Sequence, residues 1–390
     1  MKQSPLALLP PINGAGRRVL ALLATILALA AAPLSAATTY TWVNTAGGNW
    51  SVAANWSPAA VPGPADTANI TTPGTYTVTN STDNLSVANL TVGGASGVQT
   101  FQLATTRSFT ATNGAVANNG AIILTAGAIL AGAFTVANGG LLTTVNTTAQ
   151  LPANSSITVN AGGTFNLGAQ LSDFGGITNA GTINVTNANF TQPGYLVIQS
   201  GGIMRIWGGG GTAGFFGTLI NQGTIISESG PTAGISVTVL DNSLGTISNN
   251  AASTMYVEFE GNLSGYYGAA AGSTIQFQAR GVTGIITADS TQVSMVGAGT
   301  FEFSFGTLIL TTAIPNLVLS GGTLELGPSF QGGTITSLVL SGATLVDTNT
   351  ITGMLTLNGG GLTGNFEVKS GGVLTTTNSE PRLNVGGSLT

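Results

Sequence analysis

The sequence predicts an all-β protein, a right-handed parallel β-helix (solenoid) of about 20 residues per coil with an N-terminal capping segment. Apolar residues alternate with polar ones over short stretches, which is the period of a β-strand. Turn glycines recur at spacings of 18 to 23 residues over most of the chain after residue 120. Near-identical phrases follow this spacing, as in Ser156–Leu167, Tyr195–Ile206, Asn316–Leu326 and Ser337–Leu345.

Short strands between glycine turns fit either a β-sandwich or a solenoid. A fixed period favours the solenoid, because each coil then places the same residue type above the same residue type. Apolar columns would fill the core, and Asn and Thr columns would line the turns. The strong preference for right-handed crossovers between parallel strands predicts the hand. Residues 81–390 would form about fifteen such coils.

The first 37 residues are typical of a secretory signal peptide. Its basic residues are Lys2, Arg17 and Arg18. An apolar stretch follows at 19–32, and small residues before Thr38 allow cleavage after Ala36 or Ala37. The alternative is a membrane anchor, but this stretch is shorter than the ~20 residues that a membrane-spanning helix needs. We therefore expect export, and no transmembrane helix after cleavage.

Residues 38–80 differ from the repeats, which we place at 81–390. They contain Trp42, Trp50 and Trp56, three of the four tryptophans of the chain. The first coil of a solenoid has an open edge that invites aggregation. An aromatic segment bent by prolines would cover that edge, so we interpret 38–80 as a cap. A sugar-stacking platform of tryptophans is the alternative.

The motifs of this segment resemble the start of secreted Gram-negative β-strand-repeat proteins. The pattern is Trp, Gly-Asn-Trp-Ser, Asn-Trp-Ser, Val-Pro and Asp-x-Ala-x-Ile within residues 42–70, followed by Leu-Thr-Val-Gly-Gly at 90–94. Such proteins include autotransporter-passenger-like surface proteins and proteins with a C-terminal sorting signal of the PEP type. The resemblance implies a β-helix at or outside the cell surface, with adhesive or matrix roles. The chain departs from the pattern at 385–390, inside a repeat phrase, so we expect either a truncated chain or another mode of attachment.

Composition excludes several classes of function. The chain has no cysteine and no histidine, which removes His/Cys zinc sites, Ser-His-Asp triads and Cys-His dyads. Only 5% of the residues are charged. Beyond the leader the basic residues are Arg107, Arg205, Arg280, Lys369 and Arg382. Five scattered cations cannot neutralise a phosphate backbone, so nucleic acid is not an expected partner. We expect no metal and no cofactor.

One acidic pair is a candidate for catalysis. In the segment 255–260, alternation turns Met255, Val257 and Phe259 inward and leaves Tyr256, Glu258 and Glu260 on the outer face. On a straight strand these two carboxylates would stand roughly 6.5–7 Å apart, near the range of an inverting glycosidase. Three tyrosines could bind a carbohydrate near this pair, and they are Tyr256, Tyr266 and Tyr267. A solvated strand face is the simpler interpretation.

Two functions follow from these observations. The favoured one is a non-enzymatic, adhesin-like structural protein of the extracellular space or outer cell surface, which presents Thr/Asn/Ser-rich faces to extracellular glycans or neighbouring cell-surface material. The alternative is a polysaccharide-active β-helix enzyme, a glycoside hydrolase or lyase, that uses Glu258 and Glu260. A groove in which several acids or an acid and an arginine converge would favour the enzyme, and dispersed acids on flat faces would favour the structural protein.

Overall fold

The computed structural model describes residues 36–145, 148–168, 170–172, 175–186, 188, 190, 194–208, 217–230, 232–377, 382–383 and 388–390. The chain divides into two compact units, Met1–Thr38 and Thr39–Thr390. The predicted signal peptide lies outside the described residues except for its last two positions. All the strands belong to the second unit, and the following paragraphs concern that unit.

The described residues form 36 strands and two short 3-10 turns. The first strands are β1 (Thr39–Trp42), β2 (Gly48–Asn49), β3 (Trp56–Ser57), β4 (Thr67–Ile70), β5 (Tyr76–Asn80), β6 (Leu85–Val92), β7 (Gln99–Leu103), β8 (Ser108–Val116), β9 (Gly120–Leu124), β10 (Ile129–Val136), β11 (Leu141–Thr144) and β12 (Ala149–Gln150). The central strands are β13 (Ser156–Val159), β14 (Thr164–Leu167), β15 (Leu171–Ser172), β16 (Gly176–Asn179), β17 (Thr182–Thr186), β18 (Tyr195–Ile198), β19 (Ile203–Trp207), β20 (Thr218–Asn221), β21 (Thr224–Ser229), β22 (Thr232–Asp241), β23 (Thr246–Asn249) and β24 (Thr254–Ala269). The last strands are β25 (Thr274–Ala279), β26 (Ile285–Gly297), β27 (Thr300–Phe305), β28 (Thr307–Leu310), β29 (Leu317–Leu319), β30 (Thr323–Leu326), β31 (Ile335–Leu340), β32 (Thr344–Leu357), β33 (Gly361–Val368), β34 (Val373–Thr376), β35 (Arg382–Leu383) and β36 (Ser388–Leu389). The 3-10 turns are Ala53–Asn55 and Phe330–Gly332.

These strands form a parallel β-solenoid, as the sequence predicts. Coils of about 21 residues stack in about 14 turns, and only 2% of the chain is helical. Most strands pair in parallel with the strand one coil earlier and with the strand one coil later, for example β9 with β7 and with β11. The alternative of an antiparallel sandwich is therefore excluded.

Each regular coil contributes strands to three parallel ladders. In the coil that starts at Ser108, the first half of β8 belongs to ladder one, its second half to ladder two and β9 to ladder three. Alternation fails between the halves, because Thr112 and Asn113 are both exposed in succession. Two consecutive outward residues mark a bend of the chain, so the long strands turn a corner between ladders one and two.

The interior of ladder three includes an unbroken column of large, mainly apolar side chains. Successive partners in this column are Val78, Phe101, Ile122, Leu142, Phe165, Ile183, Met204, Ile225, Ile247, Tyr267 and Met295. All of them are buried. Burial of one large apolar side chain contributes roughly 1.5–3 kcal/mol. The column therefore supplies each coil with stabilisation that depends on register with its neighbours.

Buried asparagines close the turn between ladders two and three. The Asn221 amide donates to Oδ1 of Asn242 over 2.7 Å and to the carbonyl oxygen of Thr246 over 3.0 Å. Its own Oδ1 accepts from the N–H of Gly223. Both asparagines are buried, so these bonds satisfy polar groups that would otherwise be costly in the core. The predicted polar columns at the turns thus include inward asparagines that join one coil to the next.

The N-terminal segment is continuous with the repeats. Strand β1 pairs in parallel with β4, β4 pairs with β6 and β5 pairs with β7. Coil stacking therefore begins at Thr39, before residue 81, where the sequence predicted the first repeat. The other edge of β1 carries β3, which pairs with it in antiparallel orientation. This short strand occupies hydrogen-bonding groups that an edge would otherwise present to another chain.

Three tryptophans fill the interior of this first coil. Trp42, Trp50 and Trp56 each have at most 1% of their surface exposed. The ring centroids of Trp50 and Trp56 lie 4.7 Å apart, and those of Trp50 and Phe101 lie 5.2 Å apart. The cluster therefore packs onto the apolar column of ladder three. Because the rings are enclosed, these tryptophans offer no platform for a sugar.

Glycine is required where the backbones of two coils come together at a bend. Gly132 has φ of +113°, and a Cβ at this position would overlap the carbonyl oxygen of Ala111 in the preceding coil. Gly261 has a similar φ of +109°, but no heavy atom lies within 4 Å of the place where its Cβ would be. A side chain at Gly261 would therefore strain only the backbone conformation, whereas a side chain at Gly132 would also collide with the preceding coil.

We predict that Gly132→Ala destabilises the solenoid more than Gly261→Ala does. Both variants place alanine at a positive φ, which costs about 1–3 kcal/mol. Only Gly132→Ala forces neighbouring coils apart, which adds about 1–3 kcal/mol of overpacking strain. Urea unfolding of both variants measures the difference. Equal losses of unfolding free energy would show that coil contact does not dictate glycine at position 132.

Candidate functional site

The structure places the acidic pair at a corner of the solenoid. Both side chains leave the core from β24, while Met255, Val257 and Phe259 are buried. Glu258 lies in ladder one between Ser236 and Gln278 of the adjacent coils. Glu260 opens a run of three exposed residues, 260–262, which marks the bend to ladder two. Both carboxylates are therefore on the outer side of β24, as alternation predicts, and Glu260 stands where the bend begins.

Hydrogen bonds around this corner connect successive coils. Oε2 of Glu258 accepts from the Ser236 hydroxyl over 2.6 Å. Nη1 of Arg280 donates to Oγ1 of Thr238 over 2.9 Å, which spans two coils. Tyr256 is half-buried on the same outer side. These contacts give Glu258 and Arg280 a structural use in holding the stack together.

Other acidic side chains are also bound to their neighbours. Glu228 forms an ion pair with Arg205, which joins β19 to β21. Glu367 pairs with Lys369 on the same strand end. In the part of the chain that the structure describes, no three Asp or Glu residues converge as metal ligands would. The acids that are described are thus dispersed along the ladders.

The two adjacent tyrosines of β24 lie on opposite sides of the sheet. Tyr267 is fully buried in the column of ladder three, between Ile247 and Met295. Burial raises the pKa of its phenol. Tyr266 faces outward with 42% of its surface exposed. Tyr267 therefore cannot stack on a sugar in this fold, and of the predicted aromatic pair only Tyr266 presents a ring to solvent.

A groove of about 610 Å³ opens beside Tyr266, at the corner between ladders two and three. It arises because coils of unequal length meet there. Leu263 pairs with Ala288, and Gly265 pairs with Val293. Only residue 264 lies between the paired positions in the coil of Tyr266, whereas the four residues 289–292 lie between them in the next coil. The longer turn, 289–292, therefore projects beyond Tyr266 and forms one wall.

The other wall is the turn at 242–245 of the preceding coil. Ser243 and Leu244 line the groove there, and Leu244 is 75% exposed. The floor is formed by Thr246, Tyr266 and Ser294, which are successive members of one outward column of ladder three. The described residues that line the groove are hydroxyl-bearing, amide or apolar, and none of them is charged.

An aspartate fixes each wall by the same local device. Oδ1 of Asp241 accepts from the N–H and the hydroxyl of Ser243, over 3.0 and 2.7 Å. Oδ1 of Asp289 accepts from the N–H and the hydroxyl of Thr291, over 2.8 and 2.9 Å. In the sequence, both turns carry an Asp-x-Ser/Thr motif. This motif could have indicated the two walls, whereas the pairing of acidic residues pointed to Glu258 and Glu260.

The Asp289 carboxylate also binds the next coil. Its oxygens accept from the hydroxyls of Thr311 and Thr312, over 3.0 and 3.2 Å. Hydrogen bonds from Thr291, first from its N–H and then from its hydroxyl, together with that of Thr311, lower the pKa of Asp289. The ionised carboxylate is therefore the form that holds this wall of the groove in place.

Two smaller hollows lie toward the C-terminal coils, on either side of buried Phe330. One has a volume of about 100 Å³ and is lined in part by Pro328 and Asn349. The other has a volume of about 170 Å³ and is mostly apolar, with Ile314 and Leu338 among its lining residues. Neither includes an acidic side chain, so neither provides the carboxylates that hydrolysis of a glycoside requires.

We predict that alanine substitutions at the two neighbouring tyrosines have very different effects on stability. Tyr267→Ala removes a ring from the core and is expected to lower the free energy of unfolding by about 3–5 kcal/mol. Tyr266→Ala removes an outward ring and is expected to change it by less than about 1 kcal/mol. Chemical denaturation of the two variants measures this. Similar losses at both positions would contradict the assignment of faces on β24.

We predict that Asp289 makes stability depend on pH in the acidic range. Its folded pKa is lowered, so its contribution is present above the unfolded value of 3.8 and is lost as pH falls through the folded pKa. The wild type should therefore exceed Asp289→Asn in unfolding midpoint at neutral pH, and the difference should shrink toward about pH 3. A difference that stays constant over this pH series would rule out the carboxylate as its source.

Scans of the chain against protein-family models and against curated proteins find no match. The resemblance to secreted β-strand-repeat proteins therefore rests on the pattern of the sequence, namely the leader, the motifs at 42–94 and the glycine repeats. In the described ranges, no helix is long and apolar enough to cross a membrane.

Proposed function

We propose that this protein is an exported, adhesin-like structural protein of the extracellular space or outer cell surface. Its solenoid holds uncharged polar side chains at fixed spacing, where they contact extracellular glycans or neighbouring cell-surface material. Two sequence features support export, namely the signal-peptide pattern at 1–37 and the motifs shared with secreted β-strand-repeat proteins. The fold supports a display role, because a continuous stack presents the same face over many coils.

The outward column of ladder three is the observation that carries this proposal. Its consecutive members from the coil of β14 to that of β26 are Thr164, Thr182, Ile203, Thr224, Thr246, Tyr266 and Ser294. Six of these seven side chains carry a hydroxyl group. Parallel pairing sets neighbouring members about 4.8 Å apart along the stack. The column is therefore a regular row of groups that both donate and accept hydrogen bonds.

Other outward columns, in ladders two and three, add to this polar surface. The Asn184 amide donates to Oδ1 of Asn166 over 2.8 Å, and the Asn113 amide donates to Oδ1 of Asn89 over 3.2 Å. Such bonds hold outward side chains in place, so less conformational entropy is lost when a partner binds. Many weak contacts along one rigid surface add up to high avidity for a repetitive polymer. A glycan is such a polymer.

The alternative, a polysaccharide-active enzyme based on Glu258 and Glu260, has less support. Glu258 is hydrogen-bonded to Ser236, and Glu260 stands at the start of the bend at 260–262. Tyr266 lies in ladder three, away from the ladder-one position of Glu258, and Tyr267 is in the core. The aromatic and acidic residues that the hypothesis combined therefore do not form one site.

We predict that the secreted protein binds cell-surface polysaccharides and does not cleave them. It should be recovered outside the cell with Ala37 or Thr38 at its N-terminus, and it should be retained on immobilised polysaccharide. Incubation should release no reducing ends and no unsaturated products. Glu258→Gln serves as the matched variant and should bind like the wild type. Reproducible cleavage that is lost in Glu258→Gln would overturn the structural function in favour of the enzyme.

A further inference from the structure

We infer that the groove beside Tyr266 is a discrete binding site for a neutral saccharide. This inference rests on the proposed function and narrows it, because it assigns one local site on a surface that otherwise offers distributed contacts. The groove has a volume of about 610 Å³ and is wide open to solvent, so it would bind one face of a saccharide and would not enclose it. Its walls are held by hydrogen bonds, so the shape exists before a ligand arrives.

Tyr266 supplies the aromatic surface that such a ligand requires. The ring is 42% exposed and stands in a column whose neighbours, Thr246 and Ser294, are much smaller. The next outward position on the same strand is Gly268, whose Cβ, if present, would lie 3.8 Å from Cε1 of Tyr266. The ring thus lies close over Gly268, which has no side chain to cover it, and the C–H face of a sugar ring can stack on the exposed part of Tyr266.

The polar groups of the walls match the hydroxyl groups of a sugar. The hydroxyls of Ser243 and Thr291 donate to Asp241 and Asp289, so their oxygens remain available as acceptors. The amide of Gln292 and the hydroxyl of Thr246 provide both donors and acceptors. Hydroxyl groups of a sugar need this mixture, because each one donates one hydrogen bond and accepts others.

Charge distinguishes neutral saccharides from acidic ones. None of the described lining side chains is charged, and the carboxylates of Asp241 and Asp289 accept hydrogen bonds from the lining residues Ser243 and Thr291. A carboxylate, sulfate or phosphate on the ligand would be repelled by these nearby carboxylates, and the described lining contains no cation to offset that repulsion. The groove therefore favours neutral sugars over uronic acids, sulfated sugars or phosphates.

The test compares two exposed tyrosines on the full secreted chain. Tyr266→Ala removes the ring from the groove, and Tyr195→Ala removes a ring of similar exposure, 45%, from another ladder. Neutral gluco-, manno- and galacto-oligosaccharides and an anionic oligogalacturonate are titrated by calorimetry and by saturation-transfer NMR. We expect at least one neutral oligosaccharide to bind, with affinity about tenfold weaker in Tyr266→Ala and unchanged in Tyr195→Ala. Circular dichroism confirms that both variants keep their strands.

Several outcomes would overturn the site, and they differ from failure of the proposed function. Equal affinity in Tyr266→Ala and wild type, equal weakening in both variants, or binding of oligogalacturonate in preference to every neutral sugar would each refute it. Absence of binding by every neutral oligosaccharide would refute it as well. If the wild type is nevertheless retained on immobilised polysaccharide, the distributed display function stands without this groove. If the wild type is not retained on polysaccharide at all, the proposed function itself fails.

Discussion

In-register parallel pairing between successive coils is the constraint on which the rest of the structure depends. Once the backbone of one coil is hydrogen-bonded to the next, each side chain of a paired strand stands directly above its counterpart. The inward column from Val78 to Met295 follows from this alone. The same pairing decides where glycine is needed, since the carbonyl oxygen of Ala111 approaches the next coil at Gly132. Stability is therefore built up coil by coil from nearest-neighbour contacts.

Because the ladders keep register, differences in coil length appear at the corners. The coil that contains Ser264 is short where the next coil carries the turn 289–292, and the difference creates the groove beside Tyr266. The bend at 260–262 arises in the same way, where alternation gives way to consecutive outward residues. Local shape in this solenoid thus comes from turns that the ladders do not constrain, while the ladders themselves stay regular.

Several of the few charged side chains form contacts that join one coil to the next. Asp289 gathers hydrogen bonds from two successive coils, Glu228 pairs with Arg205 across two strands, and Glu258 accepts from Ser236. A low density of charge leaves the outer faces to threonine, serine and asparagine. At the N-terminal end, too, no charged residue is needed, because β3 covers the edge of β1 and the enclosed tryptophans fill the coil. The alternation of inward and outward residues along each strand thus places polar side chains on the surface and stacked apolar side chains in the core.

The sequence by itself determined the solenoid, its coil length and the direction of most side chains. Alternation and glycine spacing are local properties, and they correctly predicted that Met255, Val257 and Phe259 face inward. Adjacent tyrosines on a strand must face opposite ways, but only pairing with Ile247 decided that Tyr267 is the buried one. The tertiary structure alone decided the bend at 260–262, the continuity of 38–80 with the later coils, and the groove. Each of these depends on how a residue aligns with another coil about 20 positions away, and that alignment is set by turns whose lengths carry no periodic signal.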